Sequence, residues 1–127
     1  MKRIVLKLSG EVLANGGDGI YDMSFVDRVA GAIKTATDEG YEIALVVGAG
    51  NIWRGRQGVD MDRIDADRMG MLATVINAIC MKDAIRRAGG RAIAMTSVAM
   101  EPFAEKYSSE RAKEALESGA VVVFGAG

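Results

Sequence analysis

Gly48, Ala49, Gly50 and Asn51, followed by Arg54, form the stretch of this sequence best suited to hold a phosphate. A Gly-x-Gly turn lets the backbone approach a ligand closely, and its N–H groups can face an anion. Arg54 adds a permanent cation whose planar fork of donors matches phosphate oxygens. Lys7, Leu8, Ser9 and Gly10 form a second group of the same kind nearer the start. An ammonium beside a sheet core is costly to desolvate unless an anion or carboxylate meets it, although a lysine at a strand end also commonly snorkels to solvent. The third group is Asp67-Arg68-Met69-Gly70-Met71. Singly these are weak signals, because Gly48-Ala49-Gly50 runs on to Trp53 where a dinucleotide fingerprint has a third glycine, and no Walker loop occurs. The stretch ending at Arg54 points to phosphate on its own.

Such turns must be presented by strands. Ile43-Ala44-Leu45-Val46-Val47 is an apolar run of parallel-strand character that ends at Gly48, and Ile4-Val5-Leu6 with Leu8 reads as an earlier buried strand closing at Ser9-Gly10. Between them lie a glycine-rich loop over 15–19 and an amphipathic helix to about Asp38, capped by Asp22 or Ser24 and stopped by Gly40. This is a βαβ unit. Its right-handed crossover puts the Lys7 end and the Gly48 end on one sheet edge, where open α/β sheets bind ligands.

A polar loop over 55–60 leads to Asp62, Asp65 and Asp67, acids that precede a long helix reaching about Ala88 and suit its dipole. Capping is the plain reading of Asp62 and Asp65. Between Met71 and Met81 the only polar residues are Thr74 and Asn77, so the helix is expected to be buried on all sides, its outer face against another subunit or another segment. Arg91-Ala92-Ile93-Ala94-Met95 is expected as a third strand, Ser108 or Ser109 as the cap of a helix over 110–117, and Ala120-Val121-Val122-Val123-Phe124 as a fourth strand feeding a second turn, Gly125-Ala126-Gly127.

The 127 residues carry a net charge of −1, which gives no global field to attract nucleic acid or an anionic membrane. One cysteine, Cys80, cannot form an internal disulfide, and the absence of histidine removes the usual zinc constellations, so no metal-ligating residues are expected. The apolar run before Lys7 is too short for a signal peptide or membrane span. A cytoplasmic protein is expected.

In combination and order, Lys-Leu-Ser-Gly-Glu at 7–11, Val-Gly-Ala-Gly-Asn-Ile-Trp-Arg-Gly at 47–55 and Asp-Arg-Met-Gly-Met-Leu-Ala-Thr-Val-Ile-Asn at 67–77 resemble bacterial uridylate (UMP) kinases of the amino acid kinase superfamily, over the whole 127 residues. The resemblance implies a three-layer αβα sandwich with a mainly parallel sheet, and transfer of the γ-phosphoryl group of ATP, with Mg2+, to UMP. It implies that Lys7, Leu8, Ser9, Gly10, Gly50 and Arg54 meet ATP, with Lys7 and Arg54 the catalytic cations, and that Ala49 and Asp67 face UMP. It further implies hexamers assembled from dimers, with the helix around Met71 to Ala88 at the dimer contact, and GTP and UTP as effectors, with the loop over 15–19 near a regulatory region.

Two departures accompany it. The family carries three glycines where this chain has Gly48-Ala49-Gly50, so the methyl of Ala49 is harmless only at negative φ. Family members are also almost twice as long, and their second half holds the adenine pocket and a catalytic aspartate. The 127 residues are therefore expected to be the N-terminal portion of one amino acid kinase domain. Two alternatives stand beside UMP kinase: another superfamily member such as carbamate kinase, and a non-catalytic nucleotide-binding or assembly module.

Overall fold

A computed structural model describes residues 2–54 and 60–126, so most of the polar loop expected over 55–60, and Gly127 of the second Gly-Ala-Gly, lie outside the described residues. The apolar runs all become strands of one parallel sheet. β1 (Arg3–Leu8), β2 (Glu42–Val47), β3 (Ala92–Thr96), β4 (Glu105–Lys106) and β5 (Val121–Gly125) take the order β1-β2-β5-β3-β4. β1 and β2 run in register from Arg3 opposite Glu42 to Leu8 opposite Val47, as the βαβ reading requires.

Alternation along the central strands divides the core in two. Ile43, Leu45, Val47, Val121 and Val123 face one side, where α2 (Met23–Asp38) lays Val26, Ala30 and Ile33 and α3 (Arg63–Arg87) lays Ala78, Met81, Ala84 and Ile85. Ala44, Val122 and Met95 face the other, under Ala112, Ala115 and Leu116 of α4 (Ser109–Glu117). Full burial of each large aliphatic side chain contributes about 1.5–3 kcal/mol. The result is the expected α/β/α layering.

Caps fall where the side chains predict them. Asp22 accepts from the Phe25 amide at 3.1 Å, and Ser108 from the Arg111 amide at 3.2 Å. Asp62 caps α3, accepting from the Asp65 amide at 3.1 Å. α3 therefore starts earlier than expected, and Asp65 and Asp67 lie inside it rather than before it. Two short elements were not expected: α1 (Gly10–Ala14), a single turn directly after β1, and β4.

One burial expectation is corrected. β1 is an edge strand rather than a buried one: Val5 is 68% exposed, because the α4 layer covers β2 and β5 and does not reach β1. Within the chain α3 is covered on one side, with Leu72 at 55% and Ile76 at 51% exposure on the other, together with Ile64 and Met69, which leaves bare the outer face expected to meet another subunit or segment. Ile79, by contrast, is half-buried. Among the described residues no helix is long and apolar enough to cross a membrane.

Candidate functional site

All the strands being parallel, their carboxyl ends share one edge, and the turns after β1 and β2 meet there. The Gly48 amide donates to the Leu8 carbonyl at 2.8 Å, which extends the β1–β2 ladder by one bond beyond the strands. The chains then lock together without side chains between them. A Cβ on Gly10 would lie 2.4 Å from the Gly50 nitrogen and 2.7 Å from the Ala49 carbonyl carbon, and one on Gly48 would lie 3.1 Å from the Gly10 nitrogen. Gly50 has Glu11 where its own Cβ would be, with Cγ at 2.8 Å. Gly10 and Gly48 are needed for close approach of two backbones, while Gly50 leaves room for the Glu11 side chain.

Ala49, the departure from three glycines, fits. Asn15 and Ala126 are the non-glycine residues with positive φ among the described residues, so the Ala49 methyl meets the condition set for it.

Beside this junction opens a cleft of about 700 Å³, lined by Ser9, Glu11, Gly50, Arg54 and the glycine-rich loop over 15–19. Arg54 donates from Nε to the Gly50 carbonyl at 3.0 Å, and its Nη2 lies 3.4 Å from Glu11 Oε1. Both partners of that ion pair are substantially exposed, and pairs of this kind contribute about 0–1 kcal/mol.

Of the residues singled out in the sequence, Ser9, Gly50 and Arg54 line the cleft, while Gly10 builds its wall from behind. Leu8 turns into the core beneath α2 and α3. Lys7, on the opposite face of β1, is exposed, and no carboxylate among the described residues pairs with it. Neither Lys7, Ala49 nor Asp67 borders the cleft. Asp67 is exposed in the second turn of α3, 3.8 Å from Arg63. The turn is nevertheless fastened to that part of α3, because Trp53 donates its indole N–H to the Ala66 carbonyl at 3.1 Å and packs on Gly70.

Several residues to which the sequence reading gave no individual role hold this geometry. Asn77, wholly buried in α3, donates to the Gly48 carbonyl at 2.8 Å and to Asn51 Oδ1 at 2.7 Å. It accepts from the Tyr21 hydroxyl at 2.7 Å and from Asn51 Nδ2 at 3.2 Å. Asn51 also donates to the Ile20 carbonyl at 2.9 Å, which ties the loop before α2 to the turn. Burial, aided by the neighbouring Cys80, pushes the Tyr21 phenol well above its ordinary range and keeps it a donor. Thr74 holds the second turn, accepting from the Ala126 amide at 2.7 Å. A signal existed: Thr74 and Asn77 are the two polar residues of an otherwise apolar helical run.

The described residues hold no cluster of three or more carboxylate, cysteine or histidine side chains that could cage a metal. Mg2+ is commonly held by substrate phosphates with only one or two carboxylates, so binding it requires no such cage.

The sequence profile of the amino acid kinase family matches residues 2–127. Among solved structures, UMP kinase from Bacillus anthracis superposes with a TM-score of 0.93 at 33% identity, covering 99% of this chain and 53% of that one. UMP kinase from Ureaplasma parvum gives 0.92, also at 33% identity, over 100% of this chain and 56% of that one. The chain thus spans about half the length of these relatives. A parallel sheet, a backbone-to-backbone glycine junction at its carboxyl edge and a profile match along nearly the whole sequence agree: the chain belongs to the amino acid kinase family.

Proposed function

We propose that the whole protein of which these residues form the N-terminal portion is a UMP kinase, moving the γ-phosphoryl group of ATP to UMP. The observation that carries this reading is the interlocked pair of turns, Ser9-Gly10 against Gly48-Ala49-Gly50, with Arg54 at their rim. The two similar structures at 33% identity are both UMP kinases, which favours this acceptor over carbamate or an amino acid.

In the reaction an oxygen of the UMP phosphate attacks the γ-phosphorus, the bond to the ADP oxygen breaks, and ADP departs. The nucleophile is already an anion, so the chain need supply no general base. Its task is to align the two phosphates and offset the charge spread over the moving oxygens. In our assignment Lys7, Leu8, Ser9 and Gly10 run along the ATP phosphates, with Gly50 at the group in transit. Lys7, unpaired by any described carboxylate, and Arg54, at the rim of the cleft, supply the positive charge. Ala49 and Asp67 face UMP, the acid through the ribose hydroxyls. Mg2+ would be bound with ATP as part of the substrate, where it would screen the phosphate charge.

The exposed apolar face of α3 supports assembly through that helix, a hexamer assembled from dimers being the arrangement the resemblance implies. We assign the protein to the cytoplasm. GTP and UTP are the effectors to test, with the loop over 15–19 as the place to look, since it forms one wall of the cleft.

The test is phosphoryl transfer by the whole protein, with calorimetry for UMP, ATP and carbamate. UMP-dependent ADP formation, cut more than about tenfold in kcat by Arg54→Ala, is the expected result. Carbamate binding in place of UMP, or nucleotide binding without turnover, would replace this reading with one of its two alternatives.

A further inference from the structure

We propose that Asn77 is a positioning residue for phosphoryl transfer, fixing the turn over 48–51 through a closed set of amide bonds. This rests on the kinase reading above for its effect on rate, but not for its effect on the turn.

Each hydrogen-bonding position of the Asn77 side chain is used. Its two N–H donors go to the Gly48 carbonyl and Asn51 Oδ1, and its oxygen accepts from Tyr21 and Asn51 Nδ2. Packing does not require this. The neighbouring α3 positions Ala73, Ala78 and Met81 fill the same core with apolar atoms, and an apolar side chain of similar volume would avoid desolvating an amide. What the amide does is specific to the turn. The β1–β2 ladder ends with the Gly48 N–H, so the Gly48 carbonyl has no strand partner, and Asn77 supplies one. The reciprocal pair with Asn51 then fixes the far end of the turn, on the side where Ile52 and Trp53 both donate their amides to the Ala49 carbonyl. Asn51 Oδ1 also stands 2.6 Å from where a Gly10 Cβ would be, so the network lies directly behind the junction of the two turns.

The experiment compares the whole protein with Asn77→Asp and Asn51→Ala. The aspartate keeps the size and both acceptor contacts but, ionised, cannot donate to the Gly48 carbonyl. Native-state hydrogen exchange is read at the amides of Gly48, Ile52 and Trp53 against those of β5. The expected result is faster exchange at those three amides with β5 unchanged. In turnover, kcat falls at least about tenfold while KM for each nucleotide moves by less than about threefold, as loss of alignment without loss of binding predicts.

Asn77→Asp should also show a signature that a packing defect lacks. A buried carboxyl is raised in pKa, and once protonated it can again donate to the Gly48 carbonyl, so the ratio of variant to wild-type kcat should rise as pH falls. If Asn77→Asp fails to fold, the half-exposed Asn51→Ala carries the same exchange and kinetic test. Unchanged exchange at the three amides overturns the proposal, as does faster exchange with kcat intact. A protein that shows the exchange effect but never phosphorylates UMP refutes the kinase reading and leaves Asn77's hold on the turn established.

Discussion

Gly10→Ala puts the junction under the sharpest strain. The added Cβ would stand 2.4 Å from the Gly50 nitrogen, 2.6 Å from Asn51 Oδ1 and 2.7 Å from the Ala49 carbonyl carbon, where ordinary contact begins at 3.4 Å. Two of the three neighbours are backbone, and the third is held by Asn77, so none can swing aside cheaply. The turn must retreat by about 1 Å. Overpacking of this kind costs about 1–3 kcal/mol of stability, whereas a 1 Å error in aligning reacting groups can cost about a hundredfold in rate. The two effects separate. Starting from a typical 5–15 kcal/mol, a loss of 3 leaves nearly every molecule folded, so unfolding cannot account for a hundredfold fall. Urea unfolding and phosphoryl transfer, measured on the same preparation of the whole protein, should show a modest drop in midpoint and a fall in kcat of about a hundredfold. A kcat within threefold of wild type would refute the claim that this contact sets the reacting geometry.

Gly31→Ala is the matched control: nothing lies within 4 Å of its would-be Cβ in the middle of α2, so it should gain about 0.5–1 kcal/mol in urea unfolding and leave kcat alone. Asp22, held below its ordinary value of 3.8 by hydrogen bonds from Asn15, the Phe25 amide and Ser24, stabilises the fold only when ionised. Its contribution is complete above that ordinary value and is lost as pH falls through the lower folded value, so the urea midpoints of wild type and Asp22→Ala should differ at neutral pH and converge below pH 4. Ile76→Asp, on the exposed side of α3, should reduce the assembly size in light scattering while the far-ultraviolet spectrum stays native; an unchanged size would show that this face is not the contact.

Strand positions were legible because fully buried parallel strands are continuous apolar runs, as in Ile43-Ala44-Leu45-Val46-Val47. Burial was less legible. Ile4-Val5-Leu6 is as apolar as a central strand, and nothing local distinguishes an edge; only the sheet order and the short reach of α4 leave Val5 uncovered. The start of α3 was missed by a few residues because Asp62, Asp65 and Asp67 are all plausible first-turn acids, and the choice among them is made by the amide that Asp62 captures. Within the site, glycines and charges stood out in the sequence, whereas Tyr21 did not. Its role depends on meeting Asn77 from another element, a contact between residues 56 apart in the chain.

The two Gly-Ala-Gly segments show why residue type alone does not decide local geometry. They end adjacent strands, β2 and β5, yet Ala49 avoids positive φ while Ala126 takes φ 56°. A left-handed alanine costs about 1–2 kcal/mol, so something must hold it. Thr74 accepts from its amide and Ser97 donates to its carbonyl, and Gly125 beside it is pressed against the α3 backbone, 3.0 Å separating its would-be Cβ from the Val75 Cα. Ala49 is governed differently, by Asn77 on the preceding carbonyl and by Gly10 against the following nitrogen. One turn of α3 therefore sets both loops, through Thr74 and Asn77. A shift of this helix along its axis would carry the two turns with it, and the same helix presents its other face, bearing Leu72 and Ile76, to solvent. The assembly proposed through that face would therefore bear directly on the element that holds both turns.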